Sequence, residues 1–437
     1  MRMSADAKRR LGLLLAAVLL LVLGGLYQQR QQPVTLRIGL FAGSNWDVPD
    51  SDSYAVVDAA VEKFEREHPG VTVSYVSGIK KEDYSEWLAG RLLSGDEPDI
   101  FVIPGKDFNL YASIGALQPI SETGSRDPSF SWEVYYPAAL DYGRYDGEIY
   151  ALPAASVPTL MFVNKTLLAR EGIPIPRNDW TWQEFYEICR RVTRDTDGDG
   201  RIDQFGVYDY GWRLAAGANG VRLFREDGKA SFFADSRMEE TVRFLRELHK
   251  LEQGREVTAR DFDMGRVAFR PFTFAEYRTY KPYPWRIKKY SSFEWDCIPL
   301  PAGPSGSSSS SLQTMLMGMS ARSHHKGLAW QLLKEICYDP EIQKLTLERS
   351  QGLPVRRDVV ESGSLQEMPD TASPGGGLDL RVVSAVMDHA VMEPKFARYE
   401  EVMMRADSEL RGVIDGSIPF DNALNRIQKE INGWLQQ

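Results

Sequence analysis

Asp195, Asp197, Asp199 and Asp203 stand at positions one, three, five and nine of a twelve-residue stretch, with Gly200 at position six. That spacing matches an EF-hand-like calcium loop, in which a tight turn at the glycine lets alternating side chains converge on one hard cation. Arg201, at position seven, completes the candidate metal set, and structural calcium is the cofactor expected. Position twelve is Gly206, where a full EF-hand carries a bidentate glutamate. A ligand must therefore come from elsewhere, or the site is weak. The same residues also make an Asp/Gly turn held by Asx hydrogen bonds with no metal. On either reading the loop is structural rather than catalytic.

Aromatic residues give the second chemical signal. The chain holds 10 Trp and 19 Tyr, and Trp46, Trp212, Tyr277, Tyr283, Trp285 and Trp295 fall in segments that read as loops. Sugars present flat C–H faces that stack on aromatic rings, while their hydroxyls need polar partners. The run from Phe269 to Trp285 interleaves rings with Arg270 and Arg278. It reads either as a twisted hairpin packed on its neighbours or as a site whose arginines meet a carboxylate or phosphate on the ligand. Carboxylates are abundant, so counting does not exclude a glycosidase pair. No Gly-x-Ser-x-Gly, His-Glu-x-x-His or phosphate-binding Gly-Lys-Ser/Thr motif occurs, which lowers the case for an enzyme. Cys189, Cys297 and Cys337 make no disulfide framework and read as small buried hydrophobes. His324 and His325 sit in a basic turn without metal-ligand spacing.

These residues need a scaffold, and 437 residues suffice for two domains. A net charge of −9 opposes nucleic-acid binding, which requires excess positive charge to displace counterions from phosphates. Lys8, Arg9 and Arg10 precede an apolar run from Leu11 to Leu26, with no further charge until Arg30. Basic residues hold the front end in the cytoplasm while the apolar run enters the translocon. Residues 1–32 thus read as a signal peptide or an N-terminal membrane anchor. No cysteine follows to carry a lipid, and the rest of the chain is expected outside the membrane.

Beyond the leader, Val34–Phe41, Val71–Val76 and Asp99–Ile103 read as strands, and Ala55–His68 and Tyr84–Leu93 as helices. Strand, helix, strand, helix, strand is the pattern of a parallel sheet with covering helices. Ligands of such sheets bind at the carboxyl ends of the strands, which puts Gly43–Asp47 and Pro104–Asp107 on the ligand-facing edge. Ile149–Pro153 and Thr159–Val163 read as two strands around a short loop. Trp182–Val192, Glu239–Leu251, Leu328–Tyr338 and most of Arg398–Leu435 read as helices, and Leu316–Ser320 as a strand. The serine tract Ser305–Ser311 and the segment Ser373–Gly377 read as surface loops.

In this order the pieces resemble the extracellular solute-binding proteins of ABC importers, of the family that includes maltose- and other sugar-binding proteins. The segments that carry the resemblance include Phe64-Glu65-Arg66-Glu67-His68-Pro69-Gly70, Gly95-Asp96-Glu97-Pro98-Asp99-Ile100, Gly147-Glu148-Ile149-Tyr150-Ala151-Leu152-Pro153, Phe162-Val163-Asn164-Lys165, Ala329-Trp330-Gln331-Leu332-Leu333-Lys334 and Gly352-Leu353-Pro354-Val355. No single motif decides; the ordered set does. The resemblance implies a hinged, two-lobed α/β fold of the periplasmic-binding-protein type II, with mixed sheets flanked by helices. Carried over, lobe one is 33–152 plus 313–338 and lobe two is 153–312 plus 339–437. Chain crossings are expected near Leu152–Leu160, Pro301–Gln313 and Tyr338–Leu345. The implied ligand residues are Trp46 and Asp47 after the first strand, Lys106 and Asp107 after the third, Trp212 in the second lobe, and Tyr277 or Trp285.

The function so implied is non-catalytic capture of a sugar or oligosaccharide for an ABC permease. The protein would act as a monomer at the extracellular face of the cytoplasmic membrane, anchored or secreted. A binding protein feeding a membrane signalling receptor is the alternative, with an extracellular glycoside hydrolase behind it. One departure weakens the transfer of ligand identity: Phe269-Arg270-Pro271-Phe272-Thr273 replaces the small, Trp-ended segment usual in the family.

Overall fold

The computed structural model describes residues 33–50, 52, 54–225, 227–279, 293–362, 379–392, 394–396 and 398–436. The leader, Trp285 and the Ser373–Gly377 segment lie outside the described residues. Strands β1 (Val34–Gly39), β2 (Val71–Tyr75) and β3 (Ile100–Ile103) alternate with helices Ala55–Glu67 and Lys81–Ser94. β1 pairs with both β2 and β3 in parallel. Every residue of β3 is buried, as befits a strand covered on both faces. Helix Ala55–Glu67 turns Val57, Ala60 and Phe64 inward, a three-and-four spacing that puts all three on one face.

The chain continues through the short hairpin β4 (Arg144–Tyr145) and β5 (Glu148–Ile149) into β6 (Ala151–Asn164). Here the structure corrects the expected strand–loop–strand: 151–164 is one unbroken strand, buried throughout. Two prolines made a loop plausible, because proline cannot donate to a ladder. Pro153 is accommodated by a bulge. Met315 pairs with Ala155 and Leu316 with Pro153, so Ala154 is the extra residue. At Pro158 the strand changes partners. Its first half pairs with β10 (Ser311–Met319), and its second half, from Thr159, pairs with β8 (Val267–Thr273) and β9 (Trp295–Ile298). β7 (Phe205–Val207) adds to β8, and β11 (Val391–Met392) to β10. Among the described residues nine strands therefore join in one sheet whose two parts share β6, along the path β2-β1-β3-β10-β6-β8-β7.

The serine tract, expected at the surface, ends inside this junction. Ser309 and Ser310 are buried. Ser310 Oγ accepts from Thr159 N at 2.8 Å, and Ser309 Oγ donates to the Gly217 carbonyl at 3.1 Å. A serine tract reads as loop by composition, yet short hydroxyl side chains are suited to satisfying main-chain groups where two sheets meet.

Two apolar clusters flank the shared strand. One gathers β1, β3, β10, the first half of β6 and the helices around them, reaching as far as Phe205, Phe262 and Phe272. The other gathers Leu167, Trp180, Phe185, Met238, Val242 and the C-terminal helices. The boundary expected at residue 339 is corrected by this packing. Helices Pro340–Arg349, Arg357–Ser362 and Leu380–Asp388 place Ile342, Leu347, Val360, Val383 and Met387 in the first cluster. Only Tyr399–Asp415 and Ala423–Leu435 join the second, through residues such as Val402, Leu410 and Ile427. The chain therefore leaves the first cluster after β11, some fifty residues beyond the expected third crossing, because Pro340–Arg349 packs on Ala55–Glu67 and Leu380–Asp388 on β6.

Candidate functional site

β1 ends at Gly39, and the loop that follows carries Trp46 over a crevice at the carboxyl end of the sheet. The crevice holds ≈ 90 Å³. Its floor is buried and apolar, with Phe41, Val57, Val102, Ala154, Met317 and Ile336 lining it. Its mouth is half-buried and mostly polar, formed by Asn45, Trp46, Asp50, Tyr54, Ser350 and Gln351. Trp46 is seated by two contacts. Its main-chain N–H donates to Ser44 Oγ at 3.0 Å. Its indole edge lies against Gly352, where an added Cβ would sit 3.2 Å from Nε1. Glycine here supplies space rather than backbone freedom.

Asp47 adopts a left-handed conformation (φ 57°), which short polar side chains tolerate better than most. Its carboxylate pairs with Lys81 at 2.6 Å while staying 83% exposed. Lys106 is exposed at the start of helix Gly105–Ser113. Asp107 beside it keeps one buried carboxylate oxygen with no hydrogen-bond partner among the described residues. Neither residue lines the crevice beside Trp46.

Of two other expected ligand residues, Trp212 is buried in the core and Tyr277 is half-buried against it. Trp212 opens helix Trp212–Ala218 and is 6% exposed. Its indole N–H donates to Asp407 Oδ1 at 2.6 Å, so its one polar handle is committed. Tyr277 stacks on Phe162 at 5.3 Å and meets Trp295 edge-on at 5.5 Å. Burial pushes its hydroxyl up to about 12. The aromatic run after Phe269 is not a hairpin as far as Thr279: β8 passes directly into the helix Phe274–Thr279. Arg270 lies over the Phe272 ring at 4.0 Å, and Arg278 donates across to the Glu348 carbonyl at 3.2 Å. That last bond ties the β8 side of the molecule to the end of helix Pro340–Arg349, next to Ser350 and the crevice mouth.

The sequence missed Met315, Met317, Ser350 and Gln351 as crevice residues. The two methionines carried a signal, since they alternate on one face of β10. Ser350 and Gln351 carried none, because their approach depends on the helix Pro340–Arg349 returning to the first cluster.

The aspartate-rich loop is preorganised. Carboxylate oxygens of Asp195, Asp197 and Asp199 all lie within 4.8 Å of one another. Asp195 accepts from Gly198 N and Gly200 N, each at 2.7 Å, and these main-chain bonds hold its carboxyl below the usual range. Asp203 stands apart, its carboxylate taken by Thr196 at 2.8 Å from the main chain and 2.7 Å from the hydroxyl. Arg201 contributes a main-chain N–H to Asp199 at 2.8 Å. Position twelve is closed to a ligand side chain. A Cβ on Gly206 would lie 2.4 Å from Cys189 Cβ and 2.6 Å from its Cα.

All three cysteines are buried and free, and burial pushes each thiol well above its ordinary value. No described helix is long and apolar enough to cross a membrane.

Comparison with known proteins places these features. The family model of the bacterial extracellular solute-binding proteins matches residues 49–336. An uncharacterised lipoprotein from the oleD 5′ region of Streptomyces antibioticus is 26% identical over 322 residues, 66% of this chain and 64% of that relative's length. Thiaminase-1 of Paenibacillus thiaminolyticus is 26% identical over 155 residues, 36% of this chain and 33% of the relative. The sugar-binding protein MalE from the phytopathogen Xanthomonas citri superposes with a TM-score of 0.74 at 19% identity, covering 92% of this chain and 98% of that one. At that identity the likeness is one of fold: two α/β lobes sharing a seam.

Proposed function

The chain belongs to the bacterial extracellular solute-binding proteins, and from that membership we propose that it captures a sugar or oligosaccharide and hands it to an ABC importer. The observation that carries this reading is the crevice under Trp46. A ring lies at the carboxyl end of β1, rimmed by amide and hydroxyl groups and a carboxylate, beside the strand that both halves of the molecule share. Rings stack on the C–H faces of sugars and polar rims satisfy their hydroxyls. The solved MalE structure, a sugar-binding protein, supports the ligand class. The basic and apolar leader supports a place at the outer face of the cytoplasmic membrane, with the chain acting as a monomer. Isothermal titration with a panel of sugars, polyols, phosphoesters and peptides tests the reading. Saccharide binding is expected, and a panel in which no saccharide gives heat removes the carbohydrate claim.

Capture without catalysis is part of the same proposal. It is supported by the cysteines, whose raised thiols are poor nucleophiles. Turnover of a chromogenic glycoside or of thiamine by the purified chain would overturn it.

Calcium in the Asp195–Asp203 loop is proposed as structural. Asp195, Asp197 and Asp199 would hold the ion, with hard oxygen donors suited to it. Luminescence of directly excited terbium, its lifetime lengthened on binding, displaced by calcium and lost in Asp197→Asn, is the expected result. No terbium signal at millimolar concentration would leave the loop as a plain Asx turn.

A further inference from the structure

The crevice under Trp46 has two chemistries, and a bare sugar uses only one of them. Its mouth offers an indole face, two amides, a phenol and a carboxylate, while the Ser350 hydroxyl there is engaged with the Thr346 carbonyl at 2.8 Å and the Gly352 N–H at 3.1 Å. Its floor offers only hydrocarbon, thioether and ring carbon from Phe41, Val57, Val102, Ala154, Met317 and Ile336, all buried. The one hydroxyl at the floor, Thr346, already donates to the Ile342 carbonyl at 3.1 Å within its own helix. The Ala154 carbonyl is likewise engaged, accepting from Gln343 Nε2 at 3.1 Å. A sugar hydroxyl pushed into this floor would lose its water without gaining a partner.

The geometry is built rather than accidental. The bulge at Ala154 turns β6 away from β10 at this point, and the Pro153 that requires it is in the sequence. The whole crevice, mouth and floor together, holds ≈ 90 Å³, which exceeds the roughly 10–15 Å³ that one water needs. It is smaller than the roughly 150 Å³ of an apolar cavity that admits benzene. A six-membered sugar ring therefore stays at the mouth, and only a group of a few carbons reaches the floor.

We propose that this floor is a subsite for a short alkyl substituent of the solute, so that the ligand class is an alkylated or deoxygenated sugar rather than a fully hydroxylated one. The inference rests on the sugar reading above and adds the chemistry of the buried end. The hydroxyl-bearing ring stays at the mouth against Trp46, and the alkyl group enters between Met317 and Val57. Removal of apolar surface from water then supplies affinity that the mouth alone does not.

The test is calorimetry on the full chain with three probes that share one saccharide: maltotriose, its methyl glycoside and its butyl glycoside. Affinity is expected to rise along that series, with the butyl glycoside binding at least tenfold more tightly than maltotriose. Ala154→Leu, which fills the floor, is expected to abolish the rise, so that the three probes bind it alike. Circular dichroism melting of this variant confirms that it folds, and the wild-type series decides the question without it. Equal binding of the three probes overturns the alkyl subsite and leaves the sugar reading standing. Failure of all three, together with the rest of the saccharide panel, overturns the sugar reading itself and the subsite with it.

Discussion

A tryptophan contributes to a sugar site only where its face is free, and the tryptophans of this chain divide on that criterion. Trp212 spends its N–H on Asp407 and its ring on the second cluster. Trp46 spends its edge on Gly352 and keeps a position at the crevice mouth. Trp46→Ala should therefore weaken saccharide binding by about 1.4 kcal/mol, roughly tenfold, through lost stacking. Calorimetry reads this directly, and unchanged affinity would remove Trp46 from the site. Lys395 makes a different residue-scale prediction. Its ammonium donates to the Tyr142 carbonyl and, at 3.2 Å, to the Arg144 carbonyl, over the Phe108 ring at 4.4 Å. Burial lowers its pKa to about 8, with Asp141 opposing. The unfolded chain keeps that proton up to about 10.4. Between the two values the unfolded state binds more protons, so this group adds stability as pH rises from about 8 to about 10.4. Chemical denaturation of the wild type and Lys395→Met across that range should show the wild type gaining relative to the variant.

Among elements, the clearest constraint is the join between helix Trp182–Val192 and β7. The helix begins with a capping box, Thr181 and Glu184 bonding each other's main-chain N–H groups. It ends so close to β7 that Gly206 faces Cys189 with no room for a Cβ. Gly206 N also donates to Thr193 Oγ1 at 2.9 Å, closing the calcium-like loop at its base. The missing twelfth ligand of that loop thus has a steric cause. Gly206→Ala should cost about 1–3 kcal/mol, since the opposing atoms are a Cα and a Cβ that cannot swing away. A urea melt with unchanged slope and lower midpoint is the expected reading.

At the scale of the molecule, β6 couples the two clusters because it belongs to both parts of the sheet. Relative motion must be absorbed where that strand changes partners, at Pro158 and Thr159, where Ser310 holds the Thr159 N–H. Arg278 reaching Glu348 and Lys395 reaching Tyr142 are two further ties at the junction. Solute bound in the crevice beside the shared strand should draw the halves together, so small-angle scattering should record a smaller radius of gyration with saturating saccharide. An unchanged radius with demonstrated binding would locate recognition within one half.

The first strands and helices were legible in the sequence because their burial patterns are local: period two in β1, and three-and-four spacing in Ala55–Glu67. The ordered motifs carried the family, and the aspartate spacing carried the loop. The continuity of β6 was not legible, since two prolines argue for a break until the bulge at Ala154 and a change of neighbour absorb them. Nor was the return of residues 340–388 to the first cluster, because an amphipathic helix specifies that it will be covered but not by which surface. The same limit explains the site. Residue type marked Trp46, Trp212 and Tyr277 as equal candidates, and only the packing of distant segments decided that Trp212 is buried, that Tyr277 stacks on Phe162 and Trp295, and that Trp46 lines the crevice mouth.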